Sequence, residues 1–530
     1  MNQCPAAPLC RYSYIQYTQK ALKQPYRPIS RASTLSYNVT PTSRTSSQTD
    51  WNNHDEFFKF TRGRFLVDEA KNRRMREIQF DMNSLARVAA ESVGATHCTS
   101  IQKYPDGMFK KAFLMSMDNG REVVAKVTNP NAGIPHLRQL ARLLPWTLNV
   151  LETPVPRVYT WNSNAQSHPV GAEFIIMEKA AGVPLSHVWE TLKLPQKLQV
   201  LLAMIRLQKK WLSVSFSHYG SLHPLHQERQ FAIGPTTGRD WCDASRSLLD
   251  IDRGPWPDIQ QFLQAVGTRE TKAIQSLHPP KQLALFCGPK LYQPCPQTKL
   301  TALSHYHQIL ESLIPNDTAL TTPHLWHNDL HNDNIFIDPQ NPESITSIID
   351  WQSTHISPLF THNPDPAFLD WTDAAAVREY TTQNIFIGWR KLTRAKNPAL
   401  YRAIEFRKTP AYRLIFLAHR MFEYGEAQFM SLLVDMRDHW GDLPGTGDVP
   451  FPFEFTDAEI ERIKVACDGA VAGTELVAGV KEQLGDLWPD KGLIENERYE
   501  ECRAALGEVR DRIVEELAES EEYRRWWPFD

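Results

Sequence analysis

Several marks of specialised protein classes are missing from this chain of 530 residues. No apolar run approaches the roughly 18 residues that a membrane-spanning helix requires, so we predict that the chain is not transmembrane. The 8 cysteines are scattered without a Cys-x-x-Cys pair, which argues against a zinc site or a disulfide framework. The net charge of -3 gives no overall field for gripping nucleic acid, so we expect no nucleic-acid partner. The length and the 42% of hydrophobic residues are typical of a globular protein with two or three domains.

The first 50 residues contain no acidic side chain before Asp50. They are rich in Ser and Thr and lack the apolar core of a secretory signal, which is the composition of an organelle transit peptide. We therefore predict a mitochondrial leader over residues 1–50, recognised by the mitochondrial import machinery. A basic leader without a targeting role is the alternative. The basic residues of this stretch are Arg11, Lys20, Lys23, Arg27, Arg31 and Arg44.

The hydrophobic pattern after the leader predicts a helical segment and then a small antiparallel sheet. Residues 51–95 have helical spacing. The short β-prone runs at 98–104, 109–117 and 122–127 follow, and Asp118-Asn119-Gly120 between the last two is a strong hairpin signal. We predict one further strand over residues 172–178, after which Gly182 and Pro184 suit a hinge between two lobes.

The rest of the chain reads as mainly helical. Residues 192–213 carry a long apolar stripe, and the Pro- and Gly-punctuated region 223–296 predicts an irregular insertion. The charged helices predicted at 457–481 and 496–525 include a narrow apolar seam, for which packing on its own domain is favoured over a partner-binding role. We predict an N-lobe over 51–180, a C-lobe over 181–440 and a helical C-terminal extension over 441–530.

The most informative stretch runs from Leu325 to Trp351 and reads as loop, strand, turn, strand and acid. Phosphoryl transfer from ATP needs a carboxylate beside the accepting hydroxyl and oxygen ligands for magnesium on the phosphates. Asp329 and Asn334, five positions apart in one tight loop, supply both. The apolar strand that follows ends at Asp350, where a second metal-binding carboxylate belongs.

A candidate partner for the phosphates lies upstream. The strand Glu122–Val127 contains Ala125-Lys126, close to the Val-Ala-x-Lys pattern whose lysine pairs with ATP phosphates. A lone lysine at the end of a strand is usually solvated, but this one precedes two partners in the expected order.

These residues resemble the aminoglycoside phosphotransferase and choline kinase branch of the protein-kinase-like fold. The likeness extends to a fungal mitochondrial subgroup that includes altered inheritance of mitochondria protein nine. It is carried by His327-x-Asp329-Leu330-His331-x-x-Asn334 and Ile348-Ile349-Asp350-Trp351, and by the segments Asn129–Gly133, Val170–Lys179, Phe216–Leu222, Asp252–Trp256 and Trp527–Asp530. The resemblance covers about residues 55–530 and implies an α+β, bilobal protein-kinase-like fold, with ATP and Mg²⁺ as cofactors.

The resemblance also implies a role for each matched residue. Asp329 would be the catalytic base, Asn334 and Asp350 would ligate magnesium, and Lys126 would hold the phosphates. Residues 174–178, with Met177 and Glu178, would become the hinge that faces adenine. The segment 106–111, with Gly107 and Phe109, would form a loop that covers the nucleotide. The implied activity is phosphate transfer from ATP to a small-molecule hydroxyl or amino-alcohol acceptor.

One segment departs from the subgroup. An active kinase pairs its strand lysine with a glutamate from the next helix, and the subgroup has one in a stretch that reads roughly Thr-Thr-Ala-Ser-Glu-Val-Ala-Thr-Met-Asp-Phe. Residues 137–148 contain no acid. The two peptides can be encoded by the same nucleotides in different frames, so we hypothesise a local frameshift, which an intact transcript with unrelated codons would disprove. A genuine segment would favour the alternative of a catalytically impaired ATP-binding pseudokinase with a regulatory role.

Two further interpretations remain open at this stage. His324, His327 and His331 with Asp329 provide the residue types of a zinc hydrolase site. Acidic residues in the insertion provide the residue types that recognise a cationic acceptor, although such acids are more often solvated. These acids are Asp240, Asp243, Asp250 and Asp252.

Overall fold

A computed structural model of the chain describes residues 49–132, 136–224, 231–281, 283–352, 354–369, 380–447, 449–516 and 525–530. The predicted leader lies outside these residues except for its last two positions. Within the described part, no helix is long and apolar enough to cross a membrane.

The N-terminal part is built around a five-stranded antiparallel sheet in the order β2-β3-β4-β6-β5. Successive side chains of each strand point to opposite faces of the sheet, and the two faces have different neighbours. Phe113, Val123 and Ala125 pack against α2, whereas Lys126 and its cross-strand neighbour Ile175 lie on the opposite face. The elements are β1 (Arg64–Phe65), α1 (Glu69–Arg74), α2 (Met82–Ser92), β2 (Cys98–Lys103), β3 (Lys110–Met117), β4 (Glu122–Thr128), α3 (His136–Val150), β5 (Val158–Asn162) and β6 (Phe174–Glu178).

The predicted strands and hairpin of this sheet agree with the structure, and Gly120 turns the β3–β4 hairpin with a φ of 79°. The continuous helix predicted over 51–95 is wrong. Its first part is irregular because Phe57 and Phe58 are drawn into the sheet core, and α2 begins only where the Asp81 carboxylate caps the Ser84 amide. Strand β5 was not predicted from the sequence, since its residues are all half-buried and show no clear alternation.

The larger, C-terminal part is helical around one apolar core. Residues 223–296 were predicted as irregular, but they include the 18-residue helix α6. The elements are β7 (Val183–Pro184), α4 (Leu185–Val188), α5 (Leu194–Leu212), β8 (Ser221–Pro224), β9 (Phe231–Gly234), α6 (Ile259–Ser276), α7 (Pro296–Leu313), α8 (Thr318–Thr321), β10 (Pro323–Leu325), β11 (Ile335–Ile337), β12 (Ile345–Ile348), β13 (Ile356–Pro358), α9 (Tyr380–Lys396), α10 (Pro398–Phe406), α11 (Pro410–Ala418), α12 (Met421–Tyr424) and α13 (Ala427–Met436).

The C-terminal extension packs on the protein itself. Its elements are α14 (Asp457–Leu484), β14 (Leu493–Ile494) and α15 (Tyr499–Glu516). The apolar seam of α15 is buried against Phe286 and Phe529, which confirms the preferred interpretation of that seam. Strand β14 pairs with β1, so the extension also contacts the start of the N-terminal part. The structure thus has the predicted α+β class, with a small antiparallel sheet, a larger helical part and a helical extension.

Candidate active site

The loop of residues 327–334, predicted to be the catalytic loop, is held against the end of the strand that leads to Asp350. The His327 Nε2 atom donates to the Ile349 carbonyl at 2.8 Å, and the Asp329 amide donates to His327 Nδ1 at 3.2 Å. These two bonds fix a neutral imidazole with its proton on Nε2. Burial also lowers the pKa of His327. Because the Ile349 amide donates to the Asn334 carbonyl at 3.0 Å, the loop and the strand end form one rigid unit.

The carboxylate of Asp329 is the most accessible acid of this unit, with 59% of its side chain exposed. Its Oδ1 atom lies 2.7 Å from His331 Nε2, and Asn334 Nδ2 donates to its carbonyl oxygen at 2.9 Å. Desolvation opposes the ionised form, but the hydrogen bond from His331 and the charge interactions with His331 and His327 together outweigh it and lower the pKa of Asp329. Asp329 is therefore an ionised acceptor of protons at neutral pH.

Asp350 is the meeting point of the two parts of the fold. Lys110 Nζ lies 2.5 Å and Lys126 Nζ 2.6 Å from the same Oδ1 atom. Burial disfavours the Asp350 carboxylate, but these two ammonium groups reverse the effect and hold its pKa well below the usual range. The residue has a φ of 68°, a left-handed conformation that aspartate tolerates better than most side chains, and the next residue, Trp351, is fully buried.

Lys110 was not singled out from the sequence as a site residue. It lies on the same face of the sheet as Lys126, because Ala112, two residues along β3, is the cross-strand partner of Lys126. Lys110 also contacts Gln352 Oε1 at 3.1 Å. The sequence could have indicated Lys110 through the alternation of side chains along a strand, because residues 110 and 112 lie on one face. Lys111 lies on the other face and pairs with buried Asp106 at 3.0 Å.

The partner of Lys126 is thus an acid of the catalytic unit and not one of the following helix. Helix α3 occupies the sequence position where a partner glutamate was expected, and no residue of it is acidic. Its buried Leu140, Leu143 and Leu144 join the core of the larger part. The segment 137–148 therefore lies in a helix whose buried leucines contact that core.

The other predicted nucleotide-binding residues, Gly107, Phe109, Met177 and Glu178, each contact a different part of the protein. Gly107 belongs to a tight turn in which its amide donates to Lys110 O at 3.1 Å. Phe109 is covered by the Arg239 guanidinium, 3.3 Å from the ring centroid. Met177 is buried on the same sheet face as Lys126. The Glu178 amide donates to Arg157 O at 2.8 Å, so this amide is already engaged within the fold.

Asn334 and Asp350 fit magnesium by the chemistry of their donor atoms. Hard carboxylate and amide oxygens are the ligands that Mg²⁺ prefers. The Asn334 amide nitrogen is engaged with Asp329, which leaves its Oδ1 atom without a hydrogen-bond partner among the described residues. Both lysines contact only Oδ1 of Asp350, so Oδ2 is open to a ligand.

The zinc interpretation is wrong for the described residues, which contain no group of three candidate metal-binding side chains. The three histidines point to different partners. His324 Nδ1 contacts Val214 O at 2.9 Å, His327 binds the Ile349 carbonyl, and His331 faces Asp329. They are hydrogen-bonded supports of the loop.

A cavity of about 400 Å³ opens beside Asp329 and Asp350. Its walls come from the loop at Phe109, the insertion at Trp241, the helices α6 and α11, and Arg407 just after α10. The lining residues include five Phe, Tyr or Trp rings and four arginine side chains. Its volume is in the range of small-molecule sites.

Three of the four insertion acids are engaged with neighbouring side chains. Asp240 pairs with Arg420 at 3.0 Å, and Asp243 pairs with Arg239 at 3.0 Å. Asp252 accepts a hydrogen bond from Trp256 Nε1 at 2.8 Å. These three acids neutralise or position neighbouring side chains, so a cationic acceptor would have to compete with arginines for them.

Comparison with protein families finds a match that contains this site. Residues 101–362 match a family described as "Phosphotransferase enzyme family", which includes the catalytic loop and Asp350. A subtelomeric hrmA-associated cluster protein of Aspergillus fumigatus is 31% identical over 312 residues, 51% of this chain and 61% of that protein. The altered inheritance of mitochondria protein 9 of Yarrowia lipolytica is 23% identical over 364 residues, 59% of this chain and 61% of that protein.

The chain spans 61% of the length of these curated relatives. The Yarrowia protein is mitochondrial by name. Among solved structures, an aminoglycoside phosphotransferase in a ternary complex with AMP-PNP and hygromycin B is similar, with a TM-score of 0.36 and 15% identity over 74% of this chain and 98% of that one.

Proposed function

Since residues 101–362 form a domain of the phosphotransferase enzyme family, we propose that the chain transfers the γ-phosphoryl group of ATP to a hydroxyl of a small molecule in mitochondria. One observation carries the proposal. Asp329 and Asn334 from one loop, Asp350 from the end of the next strand and Lys126 from the sheet lie together, and Asp329 and Asp350 line one cavity. These are the residue types that phosphoryl transfer requires.

In the proposed reaction, the acceptor hydroxyl lies in the cavity and Asp329 takes its proton. The hydroxyl oxygen bonds to the γ-phosphorus while the bond from that phosphorus to the β-phosphate oxygen breaks, and ADP leaves. Asn334 and Asp350 would hold magnesium, which offsets the negative charge of the phosphates when bound. Lys126 and Lys110 add positive charge from the sheet. The hydrogen bonds through His327 keep Asp329 and Asp350 in fixed relation.

A test is ADP formation by the full chain with MgATP and a panel of small alcohols. The Asp329→Asn variant should lose at least about a hundredfold in turnover, because a positioned base contributes roughly that much, while ATP binding is kept. Asp338→Asn is a matched control, since the Asp338 carboxylate accepts a hydrogen bond within its own turn and does not line the cavity. Full turnover in Asp329→Asn would refute the assigned base.

The catalytically impaired pseudokinase is the second candidate. It is favoured by the absence of an acid in α3 and by the engagement of both lysines with Asp350. The same assay separates the two functions. A pseudokinase binds MgATP and forms no ADP above the buffer rate with any alcohol, whereas a phosphotransferase responds to at least one.

A further inference from the structure

We propose that the acceptor of this enzyme carries an anionic group, a carboxylate or a phosphate, and that Arg407 binds it. This inference rests on the proposed phosphotransferase function and names its substrate class. It begins from the charges around the cavity. Four arginines line the cavity, namely Arg239, Arg269, Arg407 and Arg420.

Apart from the catalytic Asp329 and Asp350, Asp240 is the one carboxylate that lines the cavity among the described residues. Three of these four arginines each form an ion pair with a carboxylate of the protein. Arg269 pairs with Glu270 at 3.0 Å, Arg420 with Asp240 at 3.0 Å, and Arg239 with Asp243 at 3.0 Å.

Arg407 differs from these three because no carboxylate contacts it among the described residues. Its Nε atom donates to the Tyr412 hydroxyl at 2.9 Å, and one Nη atom donates to the His362 carbonyl at 3.2 Å. Both partners are neutral, so they orient the guanidinium without cancelling its charge. The other Nη atom is left for a ligand. A planar guanidinium held in this way is suited to bind a carboxylate or a phosphate.

The charges around Asp350 also disfavour a cationic acceptor. Asp350 is already shared by Lys110 and Lys126, so its charge is more than balanced. A cationic amine would therefore meet Arg407 with only Asp329 and Asp240 to attract it, and Asp240 is paired with Arg420. Aromatic walls at Phe109, Trp241 and Tyr412 leave room for an apolar body between the anionic group and the hydroxyl.

The test compares four alcohols of matched shape: 4-(hydroxymethyl)benzoate, 4-(hydroxymethyl)phenyl phosphate, 4-(hydroxymethyl)benzamide and 4-(hydroxymethyl)benzylamine. Each is titrated into the full chain with and without magnesium and AMP-PNP. We expect one or both anions to bind at least about tenfold more tightly than the amide and the amine, as for a charge-assisted hydrogen bond. The benzoate and phosphate arms show which anion is preferred.

Two variants assign the preference to Arg407. Arg407→Gln should remove it and Arg407→Lys should restore part of it. Arg402→Gln is the control, because Arg402 pairs with Asp317 outside the cavity. Equal binding of all four compounds, no binding of any, or tightest binding of the amine would overturn the proposal, whatever the variants do. A preference for anions without AMP-PNP binding would leave the anion site standing and refute the phosphotransferase.

Discussion

Two ammonium groups share a single carboxylate oxygen at the centre of the site. Lys110, Lys126 and Asp350 together carry a net charge of about +1 when all are ionised. Desolvation and the neighbouring Lys126 lower the pKa of Lys110 to about 8, although Asp350 opposes this. A dication at Asp350 would repel both lysines, and the nearest available counter-charge is the phosphate chain of ATP. Lys110 is therefore expected to contact phosphate together with Lys126.

We predict that Lys110→Gln weakens MgATP binding about tenfold, because it removes a charge-assisted hydrogen bond to a phosphate. Calorimetric titration measures this directly. Lys179→Gln is the matched control, since Lys179 lies just beyond β6 and forms an exposed pair with Glu122 at 2.7 Å. Tighter binding in Lys110→Gln would show instead that Lys110 only competes with the metal for Asp350.

Short-range motifs explain which residues were predicted from the sequence. Asp329 and Asn334 lie five positions apart, and Asp350 ends a strand directly downstream, so spacing alone brings them together. Lys110 and Arg407 follow no such spacing. Lys110 meets Asp350 across 240 positions, and Arg407 reaches the cavity from the end of a helix far downstream. Such contacts depend on tertiary packing, which a motif does not encode.

At the scale of elements, the C-terminal helix α14 lies close to the loop at residues 285–292. Gly473 allows this approach, because the Phe286 amide donates to the Gly473 carbonyl at 3.1 Å and a Cβ on Gly473 would collide with the Phe286 carbonyl oxygen. The helices α14 and α15 were predicted from their charge pattern and periodicity. The docking face of α14 was not, since small residues such as Gly473 define it and not an apolar stripe.

Gly473→Ala should therefore reduce the free energy of unfolding by about 1–3 kcal/mol through overpacking. Gly479→Ala, on the same helix, should raise it by about 0.5–1 kcal/mol, because alanine is the better helix former and nothing lies within 4 Å of the added Cβ. Urea unfolding of both variants measures the two shifts. Equal shifts of the same sign would mean that α14 does not pack on this loop.

At the scale of the whole molecule, the site is completed only where the two parts of the fold meet. The sheet supplies Lys110 and Lys126, and the larger part supplies Asp329, Asn334 and Asp350. The C-terminal extension connects the same two parts, since β14 pairs with β1 and the Phe286 amide of the larger part donates to the Gly473 carbonyl of α14 at 3.1 Å. The pattern of short strands followed by helices in the sequence predicted a small sheet and a larger helical part. The contact between the extension and the N-terminal part was not predicted, because β1 and β14 are two-residue strands that lie more than four hundred positions apart in the sequence.

The most direct test of the account is the magnesium dependence of ATP binding by the full chain. Affinity is measured with Mg²⁺ and with EDTA for the wild type, Asp350→Asn and the control Asp338→Asn. We predict that Mg²⁺ strengthens ATP binding by at least about tenfold in the wild type and the control, and that this gain disappears in Asp350→Asn. The comparison removes any effect of the two released lysines on ATP itself, because they are present in both conditions. An undiminished magnesium gain in Asp350→Asn, or no ATP binding by the wild type, would contradict the account.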